Sequence, residues 1–497
     1  MTPSPVRSTL ATLVVALPAL GFLPFVLLPP FNQDVAAVLD FSLRWLAGER
    51  LYVDMTDVNP PLIFILNLGP ALLARWTGIA PIHAFQLAML ALGVLIVWLC
   101  TRVVRPRGPG EAAFLGAMPV LVLLAPGADF GQRDPLMLLL ALPYLLQASA
   151  RAEGSPTGPR IAVALLAGIG FALKPYFAAI PLLVEAYVLL RRRRLDASFA
   201  TLAAVAAAYG ALVLLAFPDY LARAVPISVE AYLGFADDAT VPLLLGQRLA
   251  KILLVLLAAT VLAWGAGERV RVLILAAFGG VISAIVQHKG WSYHVVPVEL
   301  LTLALCGLAV IKLLDRLGYT RPLRAAAILM GLSCVYLVSN GETPWSQWRH
   351  GRSPEAALGA AIERHAAGGR VLGLIGPIAP LFPALSYAGA TSTLPVMDLW
   401  PLDAVYRDCP QLGAGRWVAP ERMARPEAFL FRQVVEGFAA RPPDAVVVDT
   451  HPPIVECDGP FDLIGYFSRD PGFARTFSEF RLAERVGRFA IHVRARP

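Results

Sequence analysis

What this chain has least of is charge: 15% of its 497 residues are Asp, Glu, Lys or Arg against 57% hydrophobic residues, with mean hydropathy +0.64. That balance excludes an ordinary soluble globular protein and indicates a polytopic membrane protein. Cysteine is scarce too, with five residues and no CxxC pair. Cys100 falls at a helix end, while Cys306 and Cys334 lie in apolar segments as packing residues. Cys409 and Cys457 sit in the polar C-terminal region, where a disulfide and two free thiols are both open readings. There is no P-loop, dinucleotide-binding glycine fingerprint, HExxH or GxSxG element, so neither nucleotide handling nor serine hydrolysis is indicated. The 42 Lys and Arg, against 35 Asp and Glu, are dispersed in short clusters between apolar runs. They read as topology signals, not as a nucleic-acid footprint.

Long apolar runs are what the chain has instead. Residues 9–28 match the length that crosses a hydrocarbon core and read as a retained anchor, not a signal peptide. Further spans are expected over 82–104, 113–126, 135–150, 161–173, 175–190, 199–217, 243–264, 270–286, 295–314 and 323–339, eleven in all. Residues 62–76 form a shorter run expected at the interface. The groups Arg102/Arg105/Arg107, Arg151/Arg160, Arg191 to Arg194, Arg269/Arg271 and Lys312/Arg316/Arg321/Arg324 fall in alternate loops on the side of Arg7. The positive-inside rule makes that side cytoplasmic in an inner (plasma) membrane, with the N-terminus inside and the C-terminal region extracytoplasmic.

The expected fold is mainly α: a helical membrane module over residues 1–340, with 31–61 as its first outer loop, and an extracytoplasmic α/β domain over 341–497. In the latter, 355–367 has helical spacing closed by Gly368-Gly369, and Leu430, Val434 and Phe438 mark a second helix. Residues 371–375 and 445–448 read as buried strands, and the alternation of Phe489, Ile491 and Val493 with polar neighbours reads as a final strand. Asp449-Thr450-His451 follows one of these strands and reads as a loop.

The polar residues on the expected outer side are few enough to weigh singly. Asp34 comes shortly after the first span, where a carboxylate either accepts a proton from a hydroxyl nucleophile, holds a divalent cation, or, like Asn32, caps the helix that follows. Asp40 on that helix reads as an ordinary surface residue. Asp54, Asp57 and Asn59 lie in a loop shaped by Pro60-Pro61 and serve as its support. Asp134 before Pro135 suits a helix start, and Arg133 beside it suits a phosphate oxygen. Lys174 breaks an apolar run at a turn, and the stretch 287–294 packs Lys289, Trp291, Tyr293 and His294 into one tight turn. Lys289 and His294 suit a phosphate, and Trp291 and Tyr293 suit sugar faces or the membrane interface.

Together these features resemble the GT-C superfamily of membrane glycosyltransferases, especially protein O-mannosyltransferases and the lipid A aminoarabinose transferase. The likeness rests on Asp34, on Tyr52-Val53-Asp54 and Asn59-Pro60-Pro61-Leu62, on Asp134-Pro135-Leu136, on Gly170 to Pro175, and on Lys289 to His294. It implies transfer of a sugar from a polyprenyl-phosphate donor to a glycan, lipid or protein hydroxyl on the outer face, with inversion. Asp34 would be the base, Asp134 would assist at acceptor or sugar, and Lys174, Lys289, Arg133 and His294 would meet the phosphate. Many relatives carry two adjacent acids where this chain has Asp34-Val35, so a metal site needing both lacks its second ligand. A transporter or flippase of lipid-linked saccharide, and an inactive glycolipid-binding protein, are the alternative readings. The absence of an internal repeat weighs against transport.

Overall fold

The computed structural model describes residues 5–103, 108–155, 159–233, 246–341, 344–407, 417–454 and 461–495. Cys409 and Cys457, and with them the open disulfide, lie outside these residues. The chain forms two compact units: Met1–Pro29, Gln86–Leu212 and Asp237–Ser346 make the first, and Pro30–Phe85, Val213–Ala236 and Gln347–Pro497 the second. The first outer loop, expected with residues 1–340, thus groups with the C-terminal region.

The first unit is a helical bundle. Among the described residues of the whole chain, seven helices are long and apolar enough to cross a membrane, and four more are apolar but shorter, Thr9–Leu20, Leu62–Thr77, Pro109–Leu124 and Arg160–Ala172. The first expected span is broken: a helix over Pro5–Leu20 ends before a short one over Leu23–Leu27. Arg133–Glu153 is the central helix, buried almost throughout. Small residues set the approach of its neighbours, as they must where lipid supplies no hydrophobic drive between helices. A Cβ on Gly170 would stand 3.1 Å from the Met137 carbonyl oxygen, so the helix Arg160–Ala172 lies directly on the central one. A Cβ on Gly279 would come within 2.7 Å of the Ile180 Cα, which fixes Glu268–Val286 against Ala179–Arg192 in the same way.

The second unit contains a five-stranded sheet of order β2-β1-β3-β5-β4, with β1 Arg370–Leu374, β2 Thr391–Ser392, β3 Ala445–Asp449, β4 Phe480–Val486 and β5 Phe489–Arg494. β2, β1 and β3 run parallel; β5 pairs antiparallel with β3 and with β4. The expected strands at 371–375, 445–448 and the C-terminal end are present, while β2 and β4 were not legible as strands. Leu430, Val434 and Phe438 of the helix Arg425–Ala440 are buried with Val446, Val448, Phe467 and Phe473 in one core.

The first-loop helix of this unit runs Gln33–Leu46. Asn32 caps it, its side chain accepting from Val35 N at 3.1 Å, so the cap is Asn32 and Asp34 stands in the first turn. The helix is not a surface helix: every residue from Val35 to Ser42 is buried, Asp40 included at 4% exposure. Asp40 is therefore no ordinary surface residue, and the reason is a hydrogen bond its carboxylate accepts from Ser392 N at 3.2 Å. Part of the expected outer loop 218–242 is also helical, from Tyr220 to Tyr232.

Candidate active site

In the first unit, seven of the residues singled out from sequence come together. Pro175 forces the preceding residue into extended backbone, and Lys174 sits there at φ −144°, ψ 140°, between the helix ending at Ala172 and the turn Pro175–Ala178. Its ammonium donates to Asp134 Oδ2 and to Gln287 Oε1, both at 2.7 Å. Gln287 Nε2 in turn donates to the Ser283 carbonyl at 3.2 Å, so the amide is oriented by its own helix. Lys174 Nζ also lies 5.1 Å from the Tyr293 ring centroid and 5.7 Å from that of Phe177, within the range of a cation–π contact.

The turn 287–291 is tight because His288 (φ 55°) and Gly290 (φ 63°) both take left-handed backbone. It opens the helix Ser292–Arg316, whose first turn carries Tyr293 and His294. Trp291, Tyr293 and His294 form one aromatic group, with centroids 5.7, 5.5 and 4.6 Å apart pairwise. Arg133, Lys174 and Lys289 all act electrostatically on His294, and all four are buried. His294 Nδ1 has no hydrogen-bond partner among the described residues. Arg133, Lys174 and Lys289, with Asp134 against Lys174 and Asp129 on Ser292, gather cations in a poorly solvated, aromatic-walled place, a setting suited to an anion.

Gln287 belongs to this group although sequence reasoning passed over it; as an amide in a turn rich in louder residues it carries no charge signal. The pair of half-buried Arg248 and buried Glu299 was missed as well: two bonds of 2.8 Å join them, and Tyr336 Oη donates to Glu299 at 3.4 Å. So was Arg151, which binds Glu185 and Asp196 through four bonds of 2.7 to 2.8 Å. The available signal was the acid of each group, Glu299 and Glu185, each inside an apolar run.

The second unit holds the acids. Asp34 is partly exposed in its helix's first turn. Asp57 is buried and accepts from Asn59 N at 2.8 Å and from its Nδ2 at 2.6 Å, while Tyr52 Oη donates to the Asn59 carbonyl at 2.6 Å. Asp54 binds Arg50 at 3.0 Å, which holds its carboxyl below the usual range. Asp398, unnoticed in the sequence, shares the electrostatic surroundings of Asp34, Asp57 and Asp403. Burial raises its carboxyl to about 8, the Trp400 N–H opposes this, and the neighbouring acids add to it. The signal was there: an acid inside the apolar run 394–402, the same kind of interruption that marks Lys174. Asp449 pairs with Arg488 at 2.6 Å and accepts from His451 N, a self-contained structural arrangement.

Among the described residues no three His, Cys, Asp or Glu side chains are arranged to hold a metal ion. The acids of the second unit thus offer no ligand set for the divalent metal left open by the sequence among the described residues.

No family model matches the chain, and no curated protein sequence matches it. A solved structure does: ArnT from Cupriavidus metallidurans in the apo state superposes with TM-score 0.53 over 98% of this chain and 97% of that one, at 16% identity. ArnT is a GT-C lipid A aminoarabinose transferase. At that identity the likeness shows the fold alone: the polytopic helical arrangement with a C-terminal domain is the one ArnT has.

Proposed function

We propose that this chain transfers a sugar from a polyprenyl-phosphate donor to an acceptor hydroxyl on the extracytoplasmic side of the membrane, with inversion. The observation that carries this reading is the buried group of Arg133, Lys174, Lys289 and His294 beside Trp291 and Tyr293, on a GT-C fold. The acceptor oxygen attacks the anomeric carbon from one face and gives its proton to Asp34. The bond from that carbon to the phosphate oxygen breaks, and polyprenyl phosphate leaves with the electron pair. Negative charge grows on the phosphate as the bond breaks, and fixed cations lower the barrier by meeting that charge where it develops. Asp134 keeps the Lys174 ammonium oriented until the phosphate arrives. The acceptor is a glycan, lipid or protein hydroxyl.

Purified protein given a polyprenyl-phosphate-linked sugar should release polyprenyl phosphate only when an acceptor is present, and envelope glycolipid profiles should change when the protein is removed. Donor that is bound and never turned over, across a panel of glycan, lipid and peptide acceptors, would defeat the reading.

A further inference from the structure

The helix that carries Asp34 is held from outside the first loop. Tyr387 Oη accepts Phe31 N–H at 2.6 Å just ahead of the helix, and Thr56 N donates to the Pro395 carbonyl at 2.7 Å beyond it. Between these two ties lies a charged one. Asp40 Oδ1 accepts from Ser392 N at 3.2 Å, and Arg44 Nη1 donates to the Leu394 carbonyl at 2.9 Å. Arg44 in turn binds Glu49 Oε2 through Nε at 3.0 Å and Nη2 at 2.7 Å, and it stands 3.9 Å from Asp40. Asp40 and Arg44 are each 4% exposed.

We propose that the C-terminal segment 387–395 sets the direction of Asp34 through Asp40 and Arg44, making both positioning residues for the transfer reaction; this rests on the reading of Asp34 as its base. Residues four apart lie on one face of a helix, so two bonds to one strand edge fix the roll of the helix about its axis. Asp34 lies about 1.7 turns before Asp40 on the same rigid rod and inherits that roll. An apolar pair of equal volume would hold the helix without burying charge. What the polar pair adds is direction, since a carboxyl oxygen meets one N–H and a guanidinium meets one carbonyl.

The test uses the full-length protein in detergent or nanodiscs, with Asp40→Ala, Asp40→Asn and Arg44→Met. Asp40→Ala should lower kcat by at least about tenfold, leave donor KM within about twofold, and speed amide exchange over 391–395 by about tenfold or more. Asp40→Asn keeps an acceptor oxygen for Ser392 N and should retain kcat within about threefold. Wild-type kcat or wild-type exchange in Asp40→Ala would overturn the inference, as would an equal loss in Asp40→Asn. If Asp40→Ala does not fold, Arg44→Met is judged by the same readouts. If Asp34→Asn is fully active, the base assignment falls by itself, and the exchange data still decide whether the clamp exists.

Discussion

The two units hold buried charge in different settings. In the helical bundle several buried ions meet an opposite charge: Lys174 meets Asp134, Glu299 meets Arg248, and Arg151 meets Glu185 and Asp196. In the second unit burial itself raises the carboxyls of Asp398 and Asp40, to about 8 and about 7; neighbouring acids add to the first, and Arg44 opposes the second. Opposite charges lock a place in which an anion is to be received; desolvation raises the proton affinity of buried carboxyls. In the proposed division of labour, residues of the first unit meet the donor phosphate and Asp34 of the second takes the acceptor proton.

The largest effect should come from breaking a pair in the bundle. Lys174→Met leaves Asp134 buried and uncompensated, and it should cost about 3 to 5 kcal/mol. Lys174→Met combined with Asp134→Leu should recover most of that in thermal unfolding while staying inactive. A double variant no more stable than the single one would show that the pair is not the stabilising unit.

The second unit should behave in the reverse sense with pH. Asp398 and Asp40 keep their protons in the folded state after the unfolded chain, with carboxyls near 3.8, has released them. Folding therefore binds protons in this window, and stability falls as pH rises from about 4 toward 7 for Asp40 and toward 8 for Asp398, by up to about 1.4 kcal/mol per pH unit for each group. Asp398→Asn should flatten the upper part of that decline in a thermal-midpoint series between pH 5 and pH 8. An unchanged slope would mean that Asp398 is not held protonated.

The smallest expected effect is at the start of the Asp34 helix. Asn32→Ala removes the cap that accepts Val35 N and should lower stability by about 1 kcal/mol, read from thermal melting. A loss within error would show that the ties to Tyr387 and Ser392, and not the cap, hold this end.

The bundle was largely legible in the sequence because a membrane leaves apolar runs and basic loops as plain traces. Lys174, Lys289 and His294 stood out for the same reason: charge amid hydrophobic residues has few causes. Gln287 carries no such mark, and its place follows only from the packing of the helices around Gly170 and Gly279. Asp40 was misread because a helical pattern says which face is apolar but not that Ser392, more than 350 residues on, brings an N–H to the polar one. Asp398 carried a signal that was overlooked in a region read only for strands and helices.

The division of labour is open to one paired measurement: affinity for polyprenyl phosphate and turnover, in Asp34→Asn and Lys289→Ala side by side. Asp34→Asn should bind polyprenyl phosphate as the unaltered protein does while turnover falls by about 10² to 10⁴, and Lys289→Ala should weaken binding first. Full turnover in Asp34→Asn, or unchanged affinity in Lys289→Ala, would contradict it.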